Sequence, residues 1–157
     1  MAPRIEDYAL VGDLQTAALI SRAGSVDWLC FPRFDSGACF AALLGTTEHG
    51  RWLLAPRGDS WQSSWRYRPH SLILETEWET DGGAVRVIDF MPPRGKAPDI
   101  VRIVEGVRGQ VEMTSELVIR FDYGSIIPWV RRIDGDARNV VHVNTLLVRA
   151  DSPQQRP

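Results

Sequence analysis

Residues 111–121, VEMTSELVIRF, alternate apolar and polar side chains along most of their length. Successive side chains of an extended strand point to opposite faces, so a period of two indicates a β-strand with one buried face. The apolar face comprises Val111, Met113, Leu117, Ile119 and Phe121, and the polar face comprises Glu112, Thr114, Glu116 and Arg120. The segment therefore predicts a half-buried strand.

Two stretches upstream extend this pattern. Residues 72–80, LILETEWET, alternate in the same way, and residues 84–90, AVRVIDF, form a second β-rich run. The glycine pair at 82–83 separates the runs, and short glycine-containing turns commonly connect neighbouring antiparallel strands. The sequence therefore predicts a β-hairpin over 72–90.

Turn-forming residues also separate the other short apolar runs, at 23–25, 108–109 and 134–136. Each predicted strand has one apolar face, which a second layer must cover to remove it from water. The predicted fold class is therefore all-β, an antiparallel β-sandwich. The length and apolar content suit one domain, which we expect over residues 1–150, with residues 151–157, a polar proline-bearing segment, as a frayed tail.

One segment carries a helical signal. In residues 36–45, SGACFAALLG, Ser36 or the preceding Asp35 can accept hydrogen bonds from the free backbone N–H groups of a helix start. Gly45 can adopt the left-handed conformation that ends a helix. We therefore predict one short helix, of about two turns, near residues 37–44.

Charge and hydropathy exclude some classes of partner. A net charge of −2, with no basic block longer than Arg131-Arg132, does not suit a nucleic-acid phosphate backbone. No apolar run approaches the roughly 20 residues of a membrane helix, and residues 1–10 reach two acidic side chains before any apolar segment forms. We therefore expect a cytoplasmic protein that binds neither nucleic acid nor membrane.

Metal or cofactor chemistry is not predicted. The three histidines are scattered along the chain without a second ligand at useful spacing, and no phosphate-binding glycine motif is present. Cys30 and Cys39 lack metal-like spacing, which favours two buried thiols. Glu75, Glu77 and Glu79 share one strand face, a pattern typical of a solvated polar face rather than a catalytic pair.

An ordered set of landmarks carries a family resemblance: IEDY, GDLQTAAL, GSVDWLC, PRFDS and FAALLG, all within residues 5–45. This run closely resembles the N-terminal segment of trehalase-like and bacterial glucoamylase-like enzymes of glycoside hydrolase family 15. The resemblance is strongest over 5–45 and continues more weakly to about residue 149.

The resemblance implies a β-sandwich that precedes a catalytic barrel of paired helices. Both glutamates of the family's general acid and general base belong to that barrel, and no residue of this chain matches them. The expected function is therefore a non-catalytic N-terminal domain, inactive alone and without cofactor, whose partner is the helical barrel of the same polypeptide. The expected substrate of the whole enzyme is an α-glucoside such as trehalose or a malto-oligosaccharide.

The same resemblance places the PRFDS segment on the side of the sandwich that faces the catalytic domain, so that Trp28, Arg33 and Asp35 line the sugar pocket. Guanidinium and carboxylate groups suit sugar hydroxyls, and an aromatic ring suits the apolar face of a pyranose. The alternative is structural: Asp35 caps the predicted helix, and Arg33 pairs with it and braces the domain junction. Neither interpretation makes these residues catalytic.

A second candidate surface lies in residues 59–69, DSWQSSWRYRP, where Trp61, Trp65 and Tyr67 fall on one side of an extended chain. They suit an aromatic platform for carbohydrate stacking, but large aromatics also pack well in cores and between domains. The platform would make the chain a stand-alone carbohydrate-binding β-sandwich module. A small self-contained enzyme is a third hypothesis, for which the sequence offers no acid, base or nucleophile constellation.

A sandwich separated from its neighbouring domain exposes the apolar junction that the neighbour would cover. We therefore expect that the domain on its own can form a homodimer.

Overall fold

The computed structural model describes residues 3–128 and 142–149, and these form ten β-strands and four single 3-10 turns. The predicted turn at 134–136 and the predicted frayed tail at 151–157 lie outside the described residues. The strands are β1 (Tyr8–Gly12), β2 (Ala17–Ser21), β3 (Ser25–Cys30), β4 (Ala38–Phe40), β5 (Arg51–Pro56), β6 (Trp61–Tyr67), β7 (Leu74–Thr80), β8 (Gly83–Phe90), β9 (Val101–Val118) and β10 (His142–Arg149). The 3-10 turns span Ile5–Asp7, Ala42–Leu44, Thr47–His49 and Asp122–Gly124. None of these helical turns has the length and apolarity that crossing a membrane requires.

The strands form one antiparallel sheet in the order β1-β2-β3-β5-β9-β8-β7-β6, to which β4 adds on β3 and β10 on β9. The all-β class is confirmed, and so is the hairpin of β7 and β8. The 18 residues of β9 belong to both halves of the sheet: the first half pairs with β8, and the second half pairs with β5 and β10. The sheet therefore curls at β9 and packs on itself.

The ladder of β9 changes partner at Gly109, where pairing with β8 ends and pairing with β10 begins at the next residue. The φ of Gly109, +64°, lies in the left-handed region, and a Cβ there would approach the Gly82 carbonyl oxygen to 2.3 Å. Only glycine combines this conformation with so close a backbone contact. A register shift between β8 and β9 at Ala84/Val85 adds local twist beside this position.

The inner faces of the two halves form the core. One cluster joins β1, β2 and β3 to Leu74 of β7 and to Met91, and a second joins Leu54 of β5 to Trp78, Val85 and their neighbours. The alternation in residues 72–80 predicts Leu72, Leu74, Thr76 and Trp78 on one inner face. The last three are buried, whereas Leu72 precedes β7 and is 43% exposed. The strand predicted over 111–121 is confirmed as the second half of β9, which ends at Val118.

A buried ion pair connects the halves. Arg102 of β9 donates from Nε to Asp89 Oδ1 at 2.8 Å, and both side chains are at most 1% exposed. The same guanidinium donates to the carbonyl oxygens of Gly24 at 2.9 Å and Trp52 at 2.8 Å, and it lies over the Trp52 ring. One side chain thus ties the β8–β9 ladder to β5 and to the turn before β3.

The two outer strands of the sheet, β1 and β6, meet through Tyr67. The Tyr67 hydroxyl accepts a hydrogen bond from the Leu10 N–H and donates one to the Leu10 carbonyl oxygen, each at 2.8 Å. An edge strand otherwise presents such unpaired backbone groups to other chains. Tyr67 therefore closes the edge of β1 within the domain.

Replacing Tyr67 with phenylalanine should lower the free energy of unfolding by about 0.5–1.5 kcal/mol, because the two hydrogen bonds to Leu10 are lost and water replaces them only in part. We expect faster self-association as well, since the edge of β1 opens. Urea titration and light scattering measure the two effects. Tyr123→Phe is the matched control, because its ring contact with Trp28 survives that change; equal effects of the two substitutions would contradict edge closure.

The helix predicted near residues 37–44 is wrong. Residues Ala38–Phe40 form β4, which pairs with β3 in the registers Leu29↔Phe40 and Cys30↔Ala38, and a single 3-10 turn, Ala42–Leu44, follows. Residues 38–42 are all buried, so the segment has no solvent-facing side and gains its backbone hydrogen bonds from β3 instead. Gly45 has a φ of −159°, which is not the left-handed helix end expected from the sequence.

The outer face of β7 differs from the solvated face expected for its glutamates. Glu75 is buried under Arg66 and Arg68, which donate to its carboxylate at 2.9 and 2.7 Å. Glu77 pairs with Arg86 of β8 at 2.9 Å. Hydrogen bonds from Arg68 and then Arg66 hold the pKa of Glu75 below its ordinary 4.5.

This lowered pKa predicts a specific acid sensitivity. Because the folded pKa of Glu75 lies below the unfolded value, its stabilising contribution is complete above about pH 4.5 and is lost as pH falls through the folded pKa. Glu75→Gln should therefore lower the free energy of unfolding at about pH 7. Below about pH 4.5 the free energy of unfolding should fall less steeply with pH in the variant than in the wild type. Urea unfolding at several pH values measures this. Glu79→Gln, at an exposed position of the same strand, should leave the profile unchanged; a parallel shift for both variants would contradict the assignment.

Candidate functional site

The turn between β1 and β2 is built on a buried aspartate. The Asp13 carboxylate accepts the backbone N–H groups of Gln15 at 3.0 Å and Thr16 at 2.9 Å, and Arg94 donates to it from Nε at 2.7 Å. Burial alone would raise the pKa of Asp13, but the hydrogen bonds from Arg94 and the two amides outweigh it and hold the pKa below its usual range. The network fixes the conformation of this turn.

The PRFDS loop, residues 32–36, is hydrogen-bonded to the same turn. The backbone N–H of Phe34 donates to the Gln15 carbonyl oxygen at 3.0 Å, and Ser36 Oγ accepts the Arg33 N–H at 3.2 Å. Residues 33–36 also close a turn through a hydrogen bond from the Ser36 N–H to the Arg33 carbonyl at 3.1 Å. Backbone contacts therefore hold the loop, and its charged side chains take no part in them.

Arg33 and Asp35 form a two-pronged ion pair on this loop. Arg33 donates from Nε to Oδ1 at 2.9 Å and from Nη2 to Oδ2 at 2.8 Å, and the side chains are 66% and 69% exposed. The hydrogen bond from Arg33 lowers the pKa of Asp35. No helix follows Asp35, so its predicted role as a helix cap is wrong, whereas the predicted pairing with Arg33 is present. The pair offers solvent both guanidinium donors and carboxylate acceptors.

Trp28 lies in the second half of β3, half-buried against Cys30, Ala38 and Ala41. Its ring also contacts Tyr123, with centroids 5.9 Å apart and planes tilted by 38°. The Trp28 ring thus packs within the domain, and its contact with Tyr123 joins β3 to the segment after β9. Trp28 does not contact Arg33 or Asp35 through any hydrogen bond in the described residues.

The second candidate surface is partly covered by the rest of the domain. Trp61, Trp65 and Tyr67 lie on the side of β6 that Trp78 occupies in β7, because Ser63 pairs with Trp78 and the side chains alternate. Trp61 and Trp65 are half-buried against the core, Arg22 lies 4.4 Å above the Trp65 ring, and Tyr67 bonds to β1. Trp61 also lines an open groove of about 460 Å³ with Asp59, Gln62, Glu79 and Asp81.

Asp27 is a buried carboxylate that sequence reasoning missed. It lies at the register shift where Ile20 pairs with Val26 and Leu19 with Trp28, so a β-bulge directs its side chain. Its oxygens accept hydrogen bonds from Ser25 Oγ and from the Tyr8 hydroxyl, and burial followed by the bond to Asp27 raises the pKa of Tyr8. This network joins β1 to β3 beside a cavity of about 310 Å³.

The described residues contain no group of three or more histidine, cysteine, aspartate or glutamate side chains that could hold a metal ion. Cys30 and Cys39 are free and buried. Burial raises the pKa of Cys39 to about 12, so its thiol stays protonated at neutral pH and is a poor nucleophile.

Leu14 is the residue that sequence reasoning overlooked most clearly. Its side chain is 90% exposed at the tip of the β1–β2 turn, and its φ is +73°. Phe34, whose backbone N–H bonds to the neighbouring Gln15, is 62% exposed. The GDLQT landmark was the available signal, but exposure and backbone conformation cannot be deduced from it.

The fold and site together define an all-β domain with two exposed loops that are hydrogen-bonded to each other, the β1–β2 turn and the PRFDS loop. A family model described as trehalase-like, N-terminal, matches residues 1–148. The chain therefore belongs to the trehalase-like N-terminal domain family.

Curated relatives are trehalases. The chain is 36% identical to the trehalase of Mycobacterium tuberculosis over 164 residues, which cover 91% of this chain and 24% of that protein. It is 39% identical to the trehalase of Mycolicibacterium smegmatis over 140 residues, which cover 77% of this chain and 21% of that protein. It is 31% identical to trehalase 1 of Sulfolobus acidocaldarius over 151 residues, which cover 95% of this chain and 26% of that protein. The chain thus spans about a quarter of the length of these relatives. No solved structure is significantly similar to it.

Proposed function

We propose that this chain is the non-catalytic N-terminal domain of an α-glucoside hydrolase of the trehalase or glucoamylase type, and that it packs on a catalytic domain of the same polypeptide. The observation that carries the proposal is the match of residues 1–148 to a trehalase N-terminal family, while three quarters of each cited trehalase lies outside the match. The substrate class is an α-glucoside such as trehalose or a malto-oligosaccharide.

Within this proposal, Arg33 and Asp35 complete the rim of the sugar pocket. Their exposed ion pair supports the role, because Arg33 uses Nε and Nη2 for Asp35 and keeps Nη1 for a ligand. Backbone hydrogen bonds of Phe34 and Ser36 hold the loop, so the pair is positioned before a sugar arrives. Trp28 is the third proposed pocket residue, and its packing on Tyr123 supports the role by fixing the position of its ring.

The test compares two polypeptides. The 157-residue chain should release no glucose from trehalose or maltose, because a glycosidase needs two suitably spaced carboxyl groups and the proposal places them in the catalytic domain. The polypeptide encoded by the complete reading frame should release glucose. Activity of the purified short chain that disappears on mutation of one of its own residues, or a reading frame that ends at Pro157, would contradict the proposal.

A second candidate function is a stand-alone carbohydrate-binding module. The open groove beside Trp61 favours it, since an aromatic ring and the carboxylates Glu79 and Asp81 are groups that sugars contact. Calorimetry of the 157-residue chain with maltotetraose tests it directly. Saturable binding that Trp61→Ala abolishes would support the module, and no heat at millimolar sugar would exclude this use of the groove.

A further inference from the structure

The β1–β2 turn exposes an apolar side chain in a conformation that leucine disfavours. Leu14 has a φ of +73° and is 90% exposed. Asparagine, aspartate and glycine are the residues that usually occupy this backbone region. At 90% exposure the Leu14 side chain packs little against the described residues, and its positive φ is unfavourable for leucine.

A buried network maintains this unfavourable arrangement. Asp13 accepts the amides of Gln15 and Thr16, which sets the turn around Leu14, and Arg94 binds Asp13 from a segment 81 positions further along the chain. The Asp13 side chain is fully buried and that of Arg94 is 11% exposed. Thr16 Oγ1 also donates to the Cys30 carbonyl, which fixes the turn to the end of β3. The turn is therefore rigid, and Leu14 projects from a fixed base.

Phe34 is a second exposed apolar side chain, on the loop that is hydrogen-bonded to this turn. The backbone N–H of Phe34 donates to the carbonyl oxygen of Gln15, which is the residue that follows Leu14 in the other loop. The exposed ion pair of Arg33 and Asp35 flanks it on both sides in sequence. An apolar centre bordered by charged groups is the usual anatomy of a protein–protein contact.

We infer that Leu14 and Phe34 are anchor residues that insert into an apolar recess of the polypeptide lying beyond the matched N-terminal region. The inference rests on the proposed function for the existence of that region. Trehalase relatives carry about three quarters of their length outside the match, and a covalently linked domain has an effective concentration of the order of millimolar, which a second copy of the chain does not reach in dilute solution.

Hydroxyl-radical footprinting tests the inference without mutation. In the complete polypeptide, Leu14 and Phe34 should be labelled at least about fivefold more slowly than in the 157-residue chain, while Leu44, 66% exposed elsewhere in the fold, should be labelled equally in both. Equal labelling of Leu14 in the two polypeptides would overturn the inference. If Leu14 and Phe34 are instead protected in the 157-residue chain, and the protection grows with protein concentration, the surface binds a second copy of the chain. That result would overturn the assignment of the surface to the rest of the polypeptide.

Leu14→Asn separates anchoring from a structural role. Asparagine tolerates a positive φ better than leucine, so the melting temperature of the 157-residue chain should stay the same or rise. In the complete polypeptide the same substitution should remove the protection of Phe34 and lower the melting temperature, and the control Leu44→Asn should do neither. A lowered melting temperature in the short chain as well would overturn the inference.

Failure of this inference can be distinguished from failure of the proposed function. Glucose release by the complete polypeptide tests the function, whatever Leu14 contacts. An active polypeptide with a fully labelled Leu14 would refute the anchor alone. An inactive polypeptide in which Leu14 and Phe34 are protected would refute the activity and keep the anchor.

Discussion

Arg102→Ala is expected to lower the free energy of unfolding by about 3–5 kcal/mol, the usual cost of removing one partner from a buried ion pair. The substitution leaves the Asp89 carboxylate buried without a cation, and it removes the donors to the carbonyl oxygens of Gly24 and Trp52. Because these acceptors lie on both halves of the curled sheet, the loss should be global. Urea unfolding followed by tryptophan fluorescence measures it.

Arg108→Ala is the matched control, because Arg108 is an exposed arginine of the same strand. It should change stability by less than about 0.5 kcal/mol. Arg102→Lys should recover only a small part of the loss, because a single ammonium cannot reproduce the guanidinium fork that reaches a carboxylate and two carbonyls. If Arg102→Ala unfolds no more easily than Arg108→Ala, the ion pair does not hold the halves together.

Arg33→Ala and Asp35→Ala, introduced into the complete polypeptide, are expected to lower kcat/KM for the α-glucoside about tenfold or more, while the melting temperature stays near that of the wild type. The kinetic loss follows if the two charged groups bind sugar hydroxyls in the transition state. The small effect on stability follows from their exposure, since exposed ion pairs contribute little to folding. Steady-state kinetics and calorimetry on the same samples measure both quantities.

Arg57→Ala serves as the control for removing an arginine from an exposed ion pair, because Arg57 pairs with Glu112 in another part of the fold. It should leave kcat/KM unchanged. Normal kinetics for Arg33→Ala and Asp35→Ala, combined with weaker contact between the domains, would assign the pair to bracing the junction. The proposed sugar contact would then be wrong.

Local alternation was sufficient to predict the fold class. Leu74, Thr76 and Trp78 are buried as their spacing predicts, although Leu72, in the same alternation, is exposed. The turn between β7 and β8 lies where the glycine pair indicated it. The segment ACFAA misled because it is buried on every side, so its sequence has no period that separates strand from helix. Pairing with β3 decided its conformation, and that pairing is a tertiary contact.

The candidate site was predictable only in part, for a similar reason. The proximity of Arg33 and Asp35 in sequence allowed their pairing to be foreseen. The partners of Asp13 and Asp89 could not be predicted, because they depend on contacts distant in sequence. Arg94 is 81 residues from Asp13, and Arg102, the partner of Asp89, also reaches Gly24, 78 residues away. The partial burial of Trp65 and the contact of Tyr67 with β1 depend on the register of β6 against β7 and on the approach of β1, which local sequence patterns do not reveal.

The position of β9 in the sheet has a consequence for synthesis on the ribosome. β9 pairs with β5 and β8 at the centre of the strand order, yet it follows eight other strands along the chain. While a nascent chain lacks Val101–Val118, the edges of β5 and β8 are open and their apolar inner faces are uncovered. Such intermediates attract other chains through unpaired backbone groups. We therefore expect that the sheet cannot close until translation has passed Val118, and that a chain ending before that residue aggregates more readily than the complete domain.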